Sequence, residues 1–265
     1  MTTYFERRGE GSPHMLCLHG FGASTFTWRN YVAPLARHGT VVAYDRPGFG
    51  RTPAPTGANA MRAMSFDGQV AHALEFIESA TMREPVLIGH SAGGVVAIGI
   101  ARARPDLVRG LVLLSTPTEG GPPAMARMLA RVPGSSRVAG AALERVAPRF
   151  AGRAVRRVWG DKGPPTDADV RGYVEPFARP GWGRAWWQMT ATARDARVLD
   201  GPLPAMPALV ITGGRDRIAP PGSSRKLAAA LPAGRFVEIS DAGHLVHENR
   251  PAEVLQHIEA FLESV

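Results

Sequence analysis

Pro85-Val86-Leu87-Ile88-Gly89-His90-Ser91-Ala92-Gly93 decides how the rest of the chain is read. Its first residues make a short apolar run of the kind that forms a buried strand. The run stops at Gly-His-Ser-Ala-Gly, and Gly94-Val95-Val96-Ala97-Ile98 then opens a helix. Gly-x-Ser-x-Gly between a strand and a helix is the pattern of a turn tight enough to hold a serine up from the end of a sheet. Such a turn brings strand and helix too close for side chains two residues either side of the serine, which accounts for Gly89 and Gly93. The pentapeptide alone is a weak signal, because serine and glycine are common. The flanking strand and helix make it informative.

Working outward, short apolar runs alternate with helical patterns, the mark of a mainly parallel sheet with crossover helices. Strands are expected over 14–18, 40–44, 85–88 and 110–115, with an edge strand over 4–8. Helices are expected over 27–37, 65–81 and 92–104. The rhythm breaks in residues 117–197, which are rich in Pro and Gly and hold four of the five tryptophans, Trp159, Trp182, Trp186 and Trp187. Short amphipathic helices fit there; in one, Met125, Met128, Leu129 and Val132 share a face. The rhythm resumes with a strand over 208–213, a helix over 221–231, a strand over 235–239 and a helix over 252–262. The expected fold class is α/β, a mostly parallel doubly wound sheet. Residues 1–116 and 198–265 would form its core, and 117–197 a helical insertion.

A chain of 265 residues, 45% hydrophobic and 20% charged, suits a soluble α/β domain. Residues 1–11 are polar, which predicts no secretory leader, and no apolar run reaches bilayer length. Cys17 is the one cysteine, which excludes an internal disulfide and fits a reducing, cytoplasmic setting. It sits in an apolar run and reads as a small buried hydrophobe. No Cys/His cluster has metal-ligand spacing, so neither metal nor cofactor is implied. The formal net charge is +8, and residues 117–197 contribute +7 of it. A solvated basic surface is one reading; an acidic partner or anionic substrate is the other. No nucleic-acid motif accompanies the charge.

Serine is a poor nucleophile unless a base, oriented by a third group, takes its proton. His244 follows the 235–239 strand in Asp241-Ala242-Gly243-His244, and Asp216 follows the 208–213 strand in Gly213-Gly214-Arg215-Asp216. The order Ser91, Asp216, His244 is the one associated with this elbow. His19, Asp45, Ser91, Asp216 and His244 each come just after a strand, where open α/β sheets bind ligands. Oxyanion donors are expected from the backbone N–H groups of Ala92, at the helix start, and Phe21, in His19-Gly20-Phe21-Gly22. His19 reads as bracing that loop and His247 as structural. Glu119 is the rival for the orienting acid. Asp241 stands only three residues before His244, too near to approach its ring from the side.

On these motifs, together with Asp45-Arg46-Pro47-Gly48-Phe49-Gly50, the chain resembles the α/β-hydrolase superfamily, in its branch of small serine hydrolases with a helical cap. The resemblance covers nearly the whole length. It implies a serine esterase that works through an acyl-enzyme on a small, largely apolar substrate, with residues 117–197 as the cap over the serine. It gives Asp45 and Arg46 a structural role in the pocket wall. A thioesterase acting on acyl-CoA or an acidic acyl carrier protein is an alternative. So are cofactor-free perhydrolase or haloperoxidase, lyase and carbon–carbon hydrolase chemistries, and a non-catalytic ligand receptor. Epoxide hydrolases and dehalogenases of this fold commonly carry aspartate at the elbow, so Ser91 disfavours them.

Overall fold

The computed structural model describes residues 2–57, 59–119, 121–159, 163–192 and 198–265. Among them, seven strands form one sheet: β1 (Phe5–Arg8), β2 (His14–Leu18), β3 (Thr40–Tyr44), β4 (Val86–His90), β5 (Gly110–Leu114), β6 (Ala208–Gly213) and β7 (Gly234–Ile239). Their order is β1-β3-β2-β4-β5-β6-β7, with β1 antiparallel to β3 and every other pair parallel. The chain moves outward from β2 to β3, then returns to lay β4 on the other side of β2. The strand order reverses between β2 and β4, and a crevice opens at their carboxyl ends.

The helices are α1 (Val32–Leu35), α2 (Ala60–Ala63), α3 (Phe66–Ser79), α4 (Ala92–Ala103), α5 (Ala124–Ala130) and α6 (Ser135–Val146). There follow α7 (Pro148–Trp159), α8 (Asp167–Val174), α9 (Trp182–Thr192), α10 (Pro221–Ala230), α11 (Val246–Asn249) and α12 (Pro251–Leu262). Alternate strand residues enter different cores, as strands buried on both faces require. Leu16, Leu18, Val42 and Leu87 pack with Phe76 of α3, Val96 of α4 and Leu227 of α10. Met15, Cys17, Val41 and Ile88 pack with Leu35 of α1 and Ile258 and Phe261 of α12. Cys17 is fully buried, and burial pushes its thiol pKa up, which keeps it unreactive.

One local expectation differs from the structure. Residues 27–37 do not form one helix: a 3-10 turn, Thr25–Trp28, is followed by the single turn of α1. Pro34 is the reason. Its ring cannot sit beneath the carbonyl of Asn30, so it is tolerated only in the first turn of a helix that begins at Val32. The short helix expected around Met125 forms as α5, and the face that Met125, Met128 and Leu129 share, with Val132 just beyond the helix, is exposed to solvent.

Helices α5 to α9 all lie between β5 and β6, strands that are direct neighbours in the sheet. Residues 120, 160–162 and 193–197 of the 117–197 segment lie outside the described residues. A partly buried ion network, centred on the buried Glu248, fastens the segment to the core. Arg29 donates to Glu248 of α11 at 2.6 Å and to Asp169 of α8 at 2.6 Å, and Tyr173 of α8 donates to Glu248 at 2.5 Å.

Candidate active site

At the end of β4 the backbone turns sharply enough that Ser91 adopts φ 50°, ψ −121°. A non-glycine residue holds that conformation only when its surroundings over-determine it. Here the Ser91 N–H donates to the Leu114 carbonyl at 2.9 Å, and the Ser91 carbonyl accepts from Gly94 N–H at 2.9 Å. The glycines make the crossing possible. A Cβ at Gly89 would lie 2.6 Å from the backbone of Gly94, and one at Gly93 would overlap the Leu18 carbonyl. Gly93→Ala should therefore destabilise the fold by about 3 kcal/mol, as overpacking against rigid backbone does. Urea unfolding measures this directly; a loss below about 0.5 kcal/mol would mean that α4 can move away from β2.

The loops after β6 and β7 are stitched together by Gly214 N–H to the Ile239 carbonyl at 2.8 Å and Arg215 N–H to the Ala242 carbonyl at 2.9 Å. This pairing holds the side chains of Asp216 and His244 face to face. His244 Nδ1 lies 2.9 Å from Asp216 Oδ2, and His244 Nε2 lies 3.0 Å from Ser91 Oγ. The other carboxylate oxygen, Oδ1, accepts the N–H groups of Ile218 and Ala219, both at 2.8 Å. Burial works to raise the Asp216 pKa. The hydrogen bond and charge of His244, with the two backbone donors, outweigh burial and leave the pKa below its ordinary value. Glu119 is exposed, and both ring nitrogens of His244 are already engaged. Asp241 pairs instead with Arg250.

The loop after β2 reaches the serine from the other side of the crevice. Its Gly20 carbonyl accepts from His19 Nδ1 at 2.8 Å and from the Arg46 guanidinium at 3.1 Å, while Arg46 N–H donates to His19 Nε2 at 3.0 Å. In a planar trans peptide the C=O and N–H point in opposite directions. Anchoring the Gly20 carbonyl toward Arg46 therefore turns the Phe21 N–H the other way. Gly20 lies against the elbow: a Cβ there would be 3.4 Å from Ser91 Cβ and 2.9 Å from His90 Nδ1. Ala92 opens α4, where the first-turn N–H groups have no intrahelical acceptor. Asp45 braces the neighbouring turn, accepting Thr25 N–H at 2.6 Å and Arg51 N–H at 2.7 Å.

Three further residues support this arrangement: His90 and Asn249, to which the sequence assigns no role, and Arg46, expected to be structural. His90 Nε2 donates to the His244 carbonyl at 3.1 Å, and the His90 ring lies 4.4 Å from that of His247. Asn249 accepts Gly243 N–H at 2.8 Å and donates to the Trp159 carbonyl at 2.6 Å, tying the His244 loop to α7. Arg46 is fully buried, and burial pulls its pKa down to about 10. It remains a cation directly behind the Gly20–Phe21 peptide. These contacts are long-range: Arg46 and His90 stand inside motifs visible in the sequence, which do not say what they touch, and Asn249 stands in none.

Burial holds His19 and His90 well below the ordinary imidazole pKa, and His247 down to about 3. The folded chain therefore keeps these rings neutral where a solvated imidazole, with pKa about 6.5, takes up a proton. The unfolded state binds more protons below that value, so stability is complete above it and falls as pH drops through it. Each ring contributes a slope of about 1.4 kcal/mol per pH unit while it stays neutral. Asp45 and Glu248, whose carboxyl pKa values burial raises, Asp45 to about 6, act in the opposite sense and offset part of the loss. The melting temperature should fall from pH 7 to pH 5, with net proton uptake on unfolding. Calorimetry in buffers of different ionisation enthalpy measures both, and a flat profile would contradict neutral burial.

A narrow, partly open recess beside the β2 loop is lined by Gly22, Phe49, Pro176, Phe177, Trp182 and Trp186. The Phe21 and Trp186 rings meet edge-on at 4.2 Å. Adjacent tryptophans on α9 diverge as helical geometry requires. Trp186 joins this aromatic wall, whereas Trp187 donates to Ser135 at 3.0 Å and packs toward α6. Trp159 meets Tyr173 edge-on at 5.9 Å, away from the recess.

A family model described as alpha/beta hydrolase fold matches residues 13–251. An uncharacterized protein of Mycobacterium tuberculosis is 28% identical over 274 residues, covering 98% of this chain and 78% of that protein. A thermophilic esterase from Thermogutta terrifontis superposes with a TM-score of 0.78 at 24% identity, covering 99% of this chain and 93% of the esterase. An enol-lactonase from Burkholderia xenovorans superposes with a TM-score of 0.73 at 24% identity, covering 98% of this chain and 96% of the lactonase. At these identities the two structures bear on the fold alone.

Proposed function

The chain belongs to the alpha/beta hydrolase fold family, and from that premise we propose that it is a serine hydrolase cleaving a carboxylic ester of a small, largely apolar substrate, with residues 117–197 as a cap over the site. The observation that carries this reading is the hydrogen-bonded chain Ser91 Oγ, His244 and Asp216, at 3.0 and 2.9 Å. His244 Nε2 takes the Oγ proton as Oγ attacks the ester carbonyl. The tetrahedral oxyanion meets the N–H groups of Phe21 and Ala92; a donor of this kind contributes about 3 kcal/mol to the transition state. Arg46, hydrogen-bonded to the Gly20 carbonyl on the far side of that peptide, holds and polarises the amide that presents the Phe21 N–H. Asp216 steadies the imidazolium, which returns its proton to the leaving alcohol. Water then attacks the acyl-enzyme with His244 as base, releasing the acid and restoring Ser91.

The aromatic wall of Phe49, Phe177, Trp182 and Trp186 favours an apolar group on the substrate. The fold is shared with an esterase and with an enol-lactonase, whose substrate is a cyclic ester. A fluorophosphonate probe tests the reading. Wild type should be labelled on Ser91 and Ser91→Ala left unlabelled. A folded wild type that resists labelling while a control hydrolase reacts would overturn it. Matched esters and thioesters of increasing acyl length then define the scissile bond.

A further inference from the structure

Positive charge and exposed apolar surface coincide on α5, α6 and α7. Residues 124–159 hold eight arginines and one acid, Glu144, for +7 of the chain's +8. Glu144 is turned away from the outer surface, its carboxylate accepting Gly181 N–H at 2.9 Å and Gly183 N–H at 3.1 Å at the start of α9. Among the described residues, seven of the twelve exposed large apolar side chains fall in the same span, each 47–77% exposed. They are Met125, Met128 and Leu129 of α5, with Val132 just beyond; Val138 and Val146 of α6; and Phe150 of α7.

The pairing is regular along the two longer helices. Arg137 precedes Val138, Arg145 precedes Val146, and Arg149 precedes Phe150, and every one of these six is exposed. Inward faces are already used: α5 and α6 pack on α9, and α7 packs on α8. The remaining outer face therefore joins guanidinium groups to side chains that water solvates poorly, the pattern of helices that lie in a membrane interface.

The charge selects the occupant. Arg156 pairs with Asp167 at 2.7 Å and Arg131 donates to the Ala191 carbonyl, but Arg137, Arg145, Arg149, Arg153 and Arg157 are exposed, so a second copy would set like charges against one another and self-association through this face is opposed electrostatically. A nucleic acid would satisfy the arginines, yet six of the seven exposed apolar side chains are aliphatic and Phe150 alone offers a ring to stack on a base. Phospholipid headgroups meet the guanidinium groups with phosphate and leave the acyl boundary open to methionine, valine and phenylalanine. We propose that α5–α7 dock this protein peripherally on an anionic phospholipid surface.

Sedimentation with sucrose-loaded vesicles tests the proposal. Wild type should pellet with equimolar phosphatidylcholine and phosphatidylglycerol, pellet far less with phosphatidylcholine alone, and be released by high salt. An arginine near an anionic surface contributes roughly fivefold to partitioning, so Arg145→Glu/Arg149→Glu/Arg153→Glu should weaken it by about a hundredfold or more. Val138→Ser/Phe150→Ser should weaken it with the charge unchanged. All these positions are exposed, and circular dichroism of each variant checks that the fold is kept. Equal binding to both vesicles, or wild-type binding by the charge variant, would overturn the proposal. So would failure to bind vesicles while an acidic carrier protein, or a second copy, is captured through the same arginines.

Discussion

Ser91→Ala should lower kcat for a carboxylic ester by about 10⁶-fold, because loss of the attacking oxygen removes the acyl-enzyme route as a whole. Whatever hydrolysis remains would come from the Phe21 and Ala92 donors acting on directly attacking water, a residual of about 10³-fold over the uncatalysed reaction. The effect on stability should be small and of either sign. Alanine keeps the Cβ in the strained φ 50° turn and loses only the 3.0 Å contact with His244. Ser91→Gly separates the two quantities. Glycine adopts positive φ freely, so it should recover about 1 kcal/mol of turn strain while remaining as inactive as alanine. Ester hydrolysis and thermal melts on the three proteins provide the check. An alanine variant retaining more than about a hundredth of wild-type kcat would mean that Ser91 is not the nucleophile.

The elbow was legible in the sequence because its constraints are local. Gly89 is required by backbone approach to Gly94, five residues on, and the apolar run before it forms a strand whatever lies farther off; Gly93, which passes Leu18 of the neighbouring strand, belongs to the same short pentapeptide and so is read with it. The strand over 208–213 was equally plain, since Ala208–Gly213 is buried throughout and bounded by turn residues. The order Ser91, Asp216, His244 could be read because each follows a strand, and parallel strands bring those ends together. Arg46, His90 and Asn249 could not be assigned their contacts in the same way. Each acts on a partner brought near only by the finished topology: Arg46 on Gly20, His90 on the His244 carbonyl, Asn249 on both Gly243 and Trp159. The 27–37 region misled because its apolar spacing is helical while Pro34 restricts where a helix can begin. In α5 the helical period of Met125, Met128 and Leu129 was real. Periodicity says that residues share a face, not that the face meets a core, and here it meets solvent.

Asp216→Asn should lower kcat by about 10⁴-fold with the active-site geometry intact. The reason lies in the two oxygens of the carboxylate. Oδ1 accepts Ile218 N–H and Ala219 N–H, so in asparagine the carbonyl oxygen must stay on that side and the amide NH₂ must face His244. Nδ1 of His244 then has to present a lone pair, which moves the imidazole proton to Nε2. Nε2, 3.0 Å from Ser91 Oγ, becomes a donor and can no longer take the serine proton. Nitrogen NMR of histidine-labelled protein should report this change of tautomer together with the loss of rate. Glu119→Ala should leave kcat within about twofold of wild type, as a surface change remote from the hydrogen-bonded chain does. If instead Glu119→Ala lost activity and Asp216→Asn kept it, the base would be oriented by Glu119 in the working enzyme. The 2.9 Å contact between Asp216 and His244 would then have no part in turnover.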